Sequence, residues 1–89
     1  MMKKFDIAEH LKTESDIREF LQEAAETGDS SDFLHAVGIA ARAKGMSIVA
    51  SEAGVSRASL YKALSEDGKP AFETVFKVVK SFGLTLAVH

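Results

Sequence analysis

Ile48-Val49-Ala50-Ser51-Glu52-Ala53-Gly54-Val55-Ser56-Arg57-Ala58-Ser59-Leu60-Tyr61-Lys62 reads as two short helical runs divided by a glycine. The first run starts at Met46 or Ser47 and ends at Ala53. Gly54 supplies the positive φ that a tight turn between crossed helices requires. Ala50, four residues earlier, is small enough to let the second helix cross close to the first. Val49 and Ala53 face the core, and Val55 plugs the turn. Ser56 is an N-cap whose hydroxyl accepts from the backbone N–H of Ala58 or Ser59. Leu60 and Leu64, one turn apart, anchor the second run.

This spacing is that of a helix-turn-helix. An αα-corner that touches nothing has the same packing needs, so the outward face of the second run carries the distinction. With Leu60 and Leu64 turned inward, Arg57, Ala58, Tyr61 and Lys62 share the outside. Arginine bonds bidentately to a guanine edge, alanine meets a thymine methyl, and lysine reaches guanine or phosphate. The Tyr61 hydroxyl suits phosphate or a base. No acid interrupts Gly54 to Ser65, as entry into a polyanion groove requires. Asp67-Gly68-Lys69-Pro70 is a turn, in which Lys69 is placed to touch a backbone phosphate.

Outward from this stretch, the chain is punctuated by glycine and serine at short intervals. Phe5 to Leu11 has no clear period and reads as extended or as a short helical turn. Thr13 caps a helix with Glu14 and Asp16 in its first turn, where the dipole favours acids. Ile17, Phe20, Leu21, Ala24 and Ala25 follow as one apolar face, and Gly28 stops it. Ser30 or Ser31 is expected to cap the next helix, with Asp29 and Asp32 beside them also in capping positions. Its stripe is Phe33, Leu34, Val37, Ala40 and Ala41, and Gly45 ends it. Gly38 inside that helix costs about 0.5–1 kcal/mol relative to alanine, which close helix packing would explain. Pro70 is expected to begin a last helix with Phe72, Val75, Phe76 and Val79 at helical spacing, Glu73 and Lys77 paired outside, and Gly83 as its cap. Leu84-Thr85-Leu86-Ala87-Val88 alternates like a short strand. It pairs with the Phe5–Leu11 region or with another subunit, or it is not a strand. The expectation is an all-α fold of five helices, joined by two to six residues, with a short C-terminal strand. It is one domain: residues 1–29 are an acidic segment with the first helix, 30–83 the helix-turn-helix core, and 84–89 the strand.

Composition sets the outer limits. The chain has 89 residues and a net charge of −2, enough for one domain with a modest core. Residues 1–39 hold four basic and nine acidic side chains, a balance of −5, while residues 40–89 hold seven and four, a balance of +3. Two faces with different partners fit that asymmetry, as does a charge dipole that only aids solubility. With no cysteine, thiol chemistry is excluded and the cytoplasm is the expected compartment. No apolar run approaches the ~20 residues of a membrane span. His10, His35 and His89 are not at metal spacing, and neither a strained glycine elbow nor a glycine-rich phosphate loop is present. The expectation is therefore a protein that is not an enzyme, with no cofactor, no metal and no membrane.

At these residues the chain resembles the lambda-repressor-like helix-turn-helix domains and, more narrowly, the antidotes (antitoxins) of type II addiction modules. The resemblance is carried by FDIAEHL (5–11), AARAKGM (40–46), AGVSRASLYKALSEDGKP (53–70) and FETVFKVVKSFGLTL (72–86). It implies a five-helix domain that binds operator DNA as a homodimer, neutralises a small toxin encoded beside it and represses the shared operon. Carried over, it implies Arg57, Ala58 and Lys62 for bases, with Ser56, Ser59 and Tyr61 for phosphate or neighbouring bases. Many such domains carry glutamine at the start of the first motif helix; here Met46, Ser47 and Ile48 stand there, with Ser47 as the phosphate contact. The acidic first half, with Glu9, Glu14, Asp16, Glu19, Glu23 and Glu26, offers a docking face for a basic toxin, or is a solvated helix face. A stand-alone regulator of the same fold and a protein-interaction module remain as alternatives.

Overall fold

The computed structural model describes residues 11–65 and 69–84. Among them are five helices and no strand: α1 (Glu14–Glu26), α2 (Ser30–Lys44), α3 (Met46–Ala53), α4 (Arg57–Ala63) and α5 (Phe72–Ser81). The all-α expectation holds. The expected strand lies outside the described residues except for Leu84, which rests half-buried on the core, and so does its suggested partner segment except for the buried Leu11.

Local chemistry sets each helix start. At α1 the Thr13 Oγ accepts from the Asp16 N–H at 3.0 Å, and the Asp16 carboxylate accepts from the Thr13 N–H at 3.2 Å. Two orphan donors are satisfied reciprocally. At α2 the expected serine caps give way to Asp29, whose Oδ1 accepts from the Asp32 N–H at 3.1 Å. A carboxylate completes the helix N-terminus better than a hydroxyl because it also meets the dipole. Ser30 and Ser31 are simply the first turn. At α5 the helix starts at Phe72 rather than Pro70, with Ala71 extended (ψ 149°) as the capping residue.

The joints are as specific as the caps. One residue, Gly45, links α2 to α3, fewer than the two to six expected. Its N–H donates to the Ala41 carbonyl and its own carbonyl accepts from the Val49 N–H, each at 2.9 Å. It closes one helix and opens the next with φ +114°, which only glycine adopts freely, and the chain bends by 108°. Between α3 and α4, the Val55 N–H returns to the Ala50 carbonyl at 3.0 Å and the Gly54 N–H to Ser51 at 3.3 Å. Gly54 has φ +74°. This six-to-one and five-to-two pairing is the Schellman closure, which satisfies the last carbonyls of α3. The α4–α5 connection, 64–71, is longer than expected.

The core is built from Leu21, Val37, Val49, Leu60, Val78, Val79 and Phe82, all fully buried. α1 packs on α2, and α3 packs on α2, α4 and α5. Four expected stripe positions fall outside it, of which Leu34 and Phe76 are half-buried without packing on the core. Ala25 is exposed at the end of the α1 stripe. Phe72 is 72% exposed, because the stripe that α5 buries is Val75, Val78, Val79 and Phe82, and the first turn extends past it. Phe72 instead stacks on Phe76, with ring centroids 6.0 Å apart.

Lys44, the last residue of α2, ties four helices together. Its Nζ lies 2.8 Å from Glu14 on α1 and 2.7 Å from Glu52 on α3. It donates to the Ser81 carbonyl of α5 at 2.8 Å and stands 5.5 Å from the centre of the Phe82 ring. Burial disfavours its charge, but the hydrogen bonds to Glu14 and Glu52 outweigh this and hold its pKa above the usual lysine value. The same ammonium, by hydrogen bond and by charge, lowers the pKa of Glu14.

Candidate nucleic-acid interface

The α3–α4 pair presents the face that the sequence singles out. Ser56 precedes α4, and its Oγ accepts from the Ser59 N–H at 3.0 Å while donating to the Ser59 Oγ at 2.8 Å. That hydroxyl is therefore committed to the cap. Leu60 is fully buried and Leu64 half-buried, which leaves Arg57, Ala58, Ser59, Tyr61 and Lys62 exposed. Helical spacing sets Arg57, Ala58, Tyr61 and Lys62 side by side.

Arg57 and Tyr61 are in direct contact. The Arg57 Nη2 donates to the Tyr61 hydroxyl at 3.3 Å, and the guanidinium carbon lies 5.4 Å from the ring centre. No acid pairs with Arg57 or Lys62 among the described residues. Ser47 is exposed on the first turn of α3, and Lys69 is exposed on the segment leading to α5. Neither is joined to the α4 face by a hydrogen bond among the described residues.

The sequence reading passed over Ile48, which is 51% exposed next to Ser47. Its position was recoverable: Met46, Val49, Ala50 and Ala53 form the buried stripe of α3, and Ile48 falls off it. The reading also passed over an open groove of about 500 Å³ between α2 and the end of α4, lined by Leu34, His35, Arg42 and Leu64 with flanking serines.

On α1 the acidic residues divide by role. Glu14 is held by Lys44 and Asp16 by the cap, while Glu9 lies outside the described residues. Glu19, Glu23 and Glu26 are exposed, and the i, i+4, i+7 spacing puts them on one face opposite Ile17 and Leu21. No group of three metal-ligating side chains occurs among the described residues. No single helix described is long and apolar enough to cross a membrane.

Comparison with known proteins bears on the whole chain. The family model "Probable addiction module antidote protein" matches residues 1–89. An uncharacterized protein of Haemophilus influenzae is 46% identical over 88 residues, covering 99% of this chain and 91% of that protein. No solved structure matches. The resemblance to addiction-module antidotes read from the sequence is thereby borne out, and the chain belongs to the family of probable addiction module antidote proteins.

Proposed function

We propose that this protein is the antitoxin of a type II addiction module, which neutralises a small cognate toxin and binds operator DNA as a dimer to regulate its own operon. The observation that carries the DNA half is the α4 surface: Arg57, Ala58, Tyr61 and Lys62 exposed side by side on a helix anchored by Leu60, with no acid from Gly54 to Ser65. In this reading α3 and α4 are a helix-turn-helix of the lambda-repressor type. α4 enters the major groove with Arg57, Ala58 and Lys62 at base edges, and Ser47, Ser59 and Lys69 at phosphates. The Ser56 hydroxyl is occupied by the cap, so Ser56 contributes by holding the helix end. One such helix reads few base pairs. Two-fold pairing supplies a second half-site about 34 Å away on the same face of the duplex.

The toxin half rests on the family and on the exposed Glu19, Glu23 and Glu26 face, which matches a small basic partner. Binding and regulation of this kind need neither a catalytic centre nor a cofactor, and they place the protein in the cytoplasm beside the DNA. The deciding experiment is co-expression with the product of the adjacent small reading frame. Rescue of growth, co-purification and retention of upstream DNA support the proposal. If that product is harmless and unbound while the DNA is still retained, a stand-alone helix-turn-helix regulator is the better reading.

A further inference from the structure

We infer that Tyr61 is a positioning residue that holds the Arg57 guanidinium for a guanine of double-stranded DNA. This rests on the DNA-binding reading above and assigns its sequence preference to one pair of side chains. Tyr61 is 44% exposed, where a phenol can be satisfied by water. Its hydroxyl nonetheless accepts from the Arg57 Nη2 at 3.3 Å, and its ring lies under the guanidinium at 5.4 Å.

Other holders of Arg57 are lacking among the described residues. Ser56 and Ser59 bond to each other, Ala58 carries only a methyl, and no carboxylate stands within the run from Gly54 to Ser65. A guanidinium has five N–H donors in a rigid fork. One goes to Tyr61, and the remaining edge keeps the parallel pair that matches guanine O6 and N7. An arginine already fixed in this way loses less rotamer freedom on binding, an advantage of roughly two- to tenfold in affinity for one long side chain. A phosphate also fits the fork, but phosphates are the same in every duplex, so the share of the advantage realised at the guanine edge appears as preference among sequences.

The test uses the full chain and a duplex selected by it from random sequence. Affinity is measured for that duplex, for a scrambled duplex and for the selected duplex carrying 7-deazaguanine, in the wild type, Tyr61→Phe, Tyr61→Leu, Arg57→Ala and the double variants. Tyr61→Phe keeps the ring and should lower the selected-to-scrambled preference about threefold, the worth of one ordinary hydrogen bond. Tyr61→Leu removes ring and hydroxyl and should lower it about tenfold. Both should weaken binding to the scrambled duplex much less than to the selected one and leave the unfolding midpoint unchanged. Both losses should vanish in the Arg57→Ala background and on the 7-deazaguanine duplex. Equal loss on both duplexes would make Tyr61 a phosphate contact and overturn the inference. So would full preference in Tyr61→Leu when Arg57→Ala has lost it; that outcome leaves DNA binding itself standing. Failure of the wild type to bind any duplex would overturn the DNA-binding reading and this inference together.

Discussion

Two glycine-to-alanine changes should move stability in opposite directions. Gly38 lies inside α2 with ordinary helical backbone, so alanine gains about 0.8–1 kcal/mol of helix propensity there. A Cβ at this position would stand 3.1 Å from the Arg42 Nη1 and 3.6 Å from the Leu64 carbonyl. The second distance is ordinary contact. The first involves the far end of an exposed, flexible side chain, which moves aside for a few tenths of a kcal/mol. The net effect is a gain of about 0.5 kcal/mol, or roughly 2–4 °C in Tm for a domain of this size. Gly54 is the reverse case. A Cβ there meets nothing within 4 Å, but φ is +74°. Alanine in that conformation costs about 1–2 kcal/mol, partly offset by about 0.4–1 kcal/mol from stiffening the unfolded chain. The net loss is about 1 kcal/mol, or roughly 4–8 °C. Thermal unfolding followed by circular dichroism, with urea midpoints at unchanged slope, reads both values. If Gly38→Ala lost a kcal/mol or more, Arg42 would have to be fixed in place, and the reasoning that treats the α2–α4 groove as open would be wrong.

Four further outcomes follow from the same contacts. Ser56→Ala removes the α4 cap and should cost about 1 kcal/mol, seen in the urea midpoint; Ser56→Gly should recover most of it. The Lys44 junction predicts a pH dependence. The folded-state pKa of Glu14 is below its ordinary 4.5, so its contribution is present above that pH and is lost as pH falls through the lowered value. Lys44 is raised above 10.5, so its contribution is present below that pH and is lost as pH rises past the raised value. Unfolding free energy measured from pH 7 down to 3 should fall less steeply in Lys44→Met than in the wild type; identical slopes would refute the coupling. Charge reversal at Glu19, Glu23 and Glu26 should abolish toxin capture while the preference for operator over scrambled DNA persists, and unchanged capture would dismiss that face as solvated surface. Deletion of residues 84–89 should yield monomers in sedimentation; a truncated chain that remains dimeric places the interface elsewhere.

What could be read in advance divides by the range of the interactions. Periodicity and caps are local, so α1, α3 and α4 were legible, down to the Ser56 cap, for which spacing offered the Ala58 or the Ser59 N–H and the structure uses Ser59. The serine–aspartate ambiguity at the start of α2 was not resolvable by spacing, since hydroxyl and carboxylate both reach the third helical N–H. Phe72 looked like core because it continues the spacing of Val75, Phe76 and Val79; its exposure depends on where the other helices end, which no local pattern encodes. The Lys44 junction was illegible for the same reason: its partners Glu14, Glu52 and Ser81 belong to three other helices and meet only in the folded chain. On α4 the exposed set was visible from Leu60 and Leu64 alone. That Tyr61 is spent on Arg57 was not, since i, i+4 spacing permits the contact without requiring it.

The single-residue joint at Gly45 also governs which length changes the chain can absorb. Because one peptide unit ends α2 and begins α3, there is no slack between them. An inserted residue that prolonged α2 would swing α3 and α4 by about 100° around the α2 axis, the rotation of one helical residue. Leu60 would leave the core and the Arg57 face would turn elsewhere. Gly54 to Ser56 is constrained in the same way by the Schellman closure and the serine cap. Among the described residues of the connection to α5, 64–65 and 69–71, none ends one helix and begins the next. Among relatives, insertions and deletions should therefore gather there and be missing from the two glycine joints.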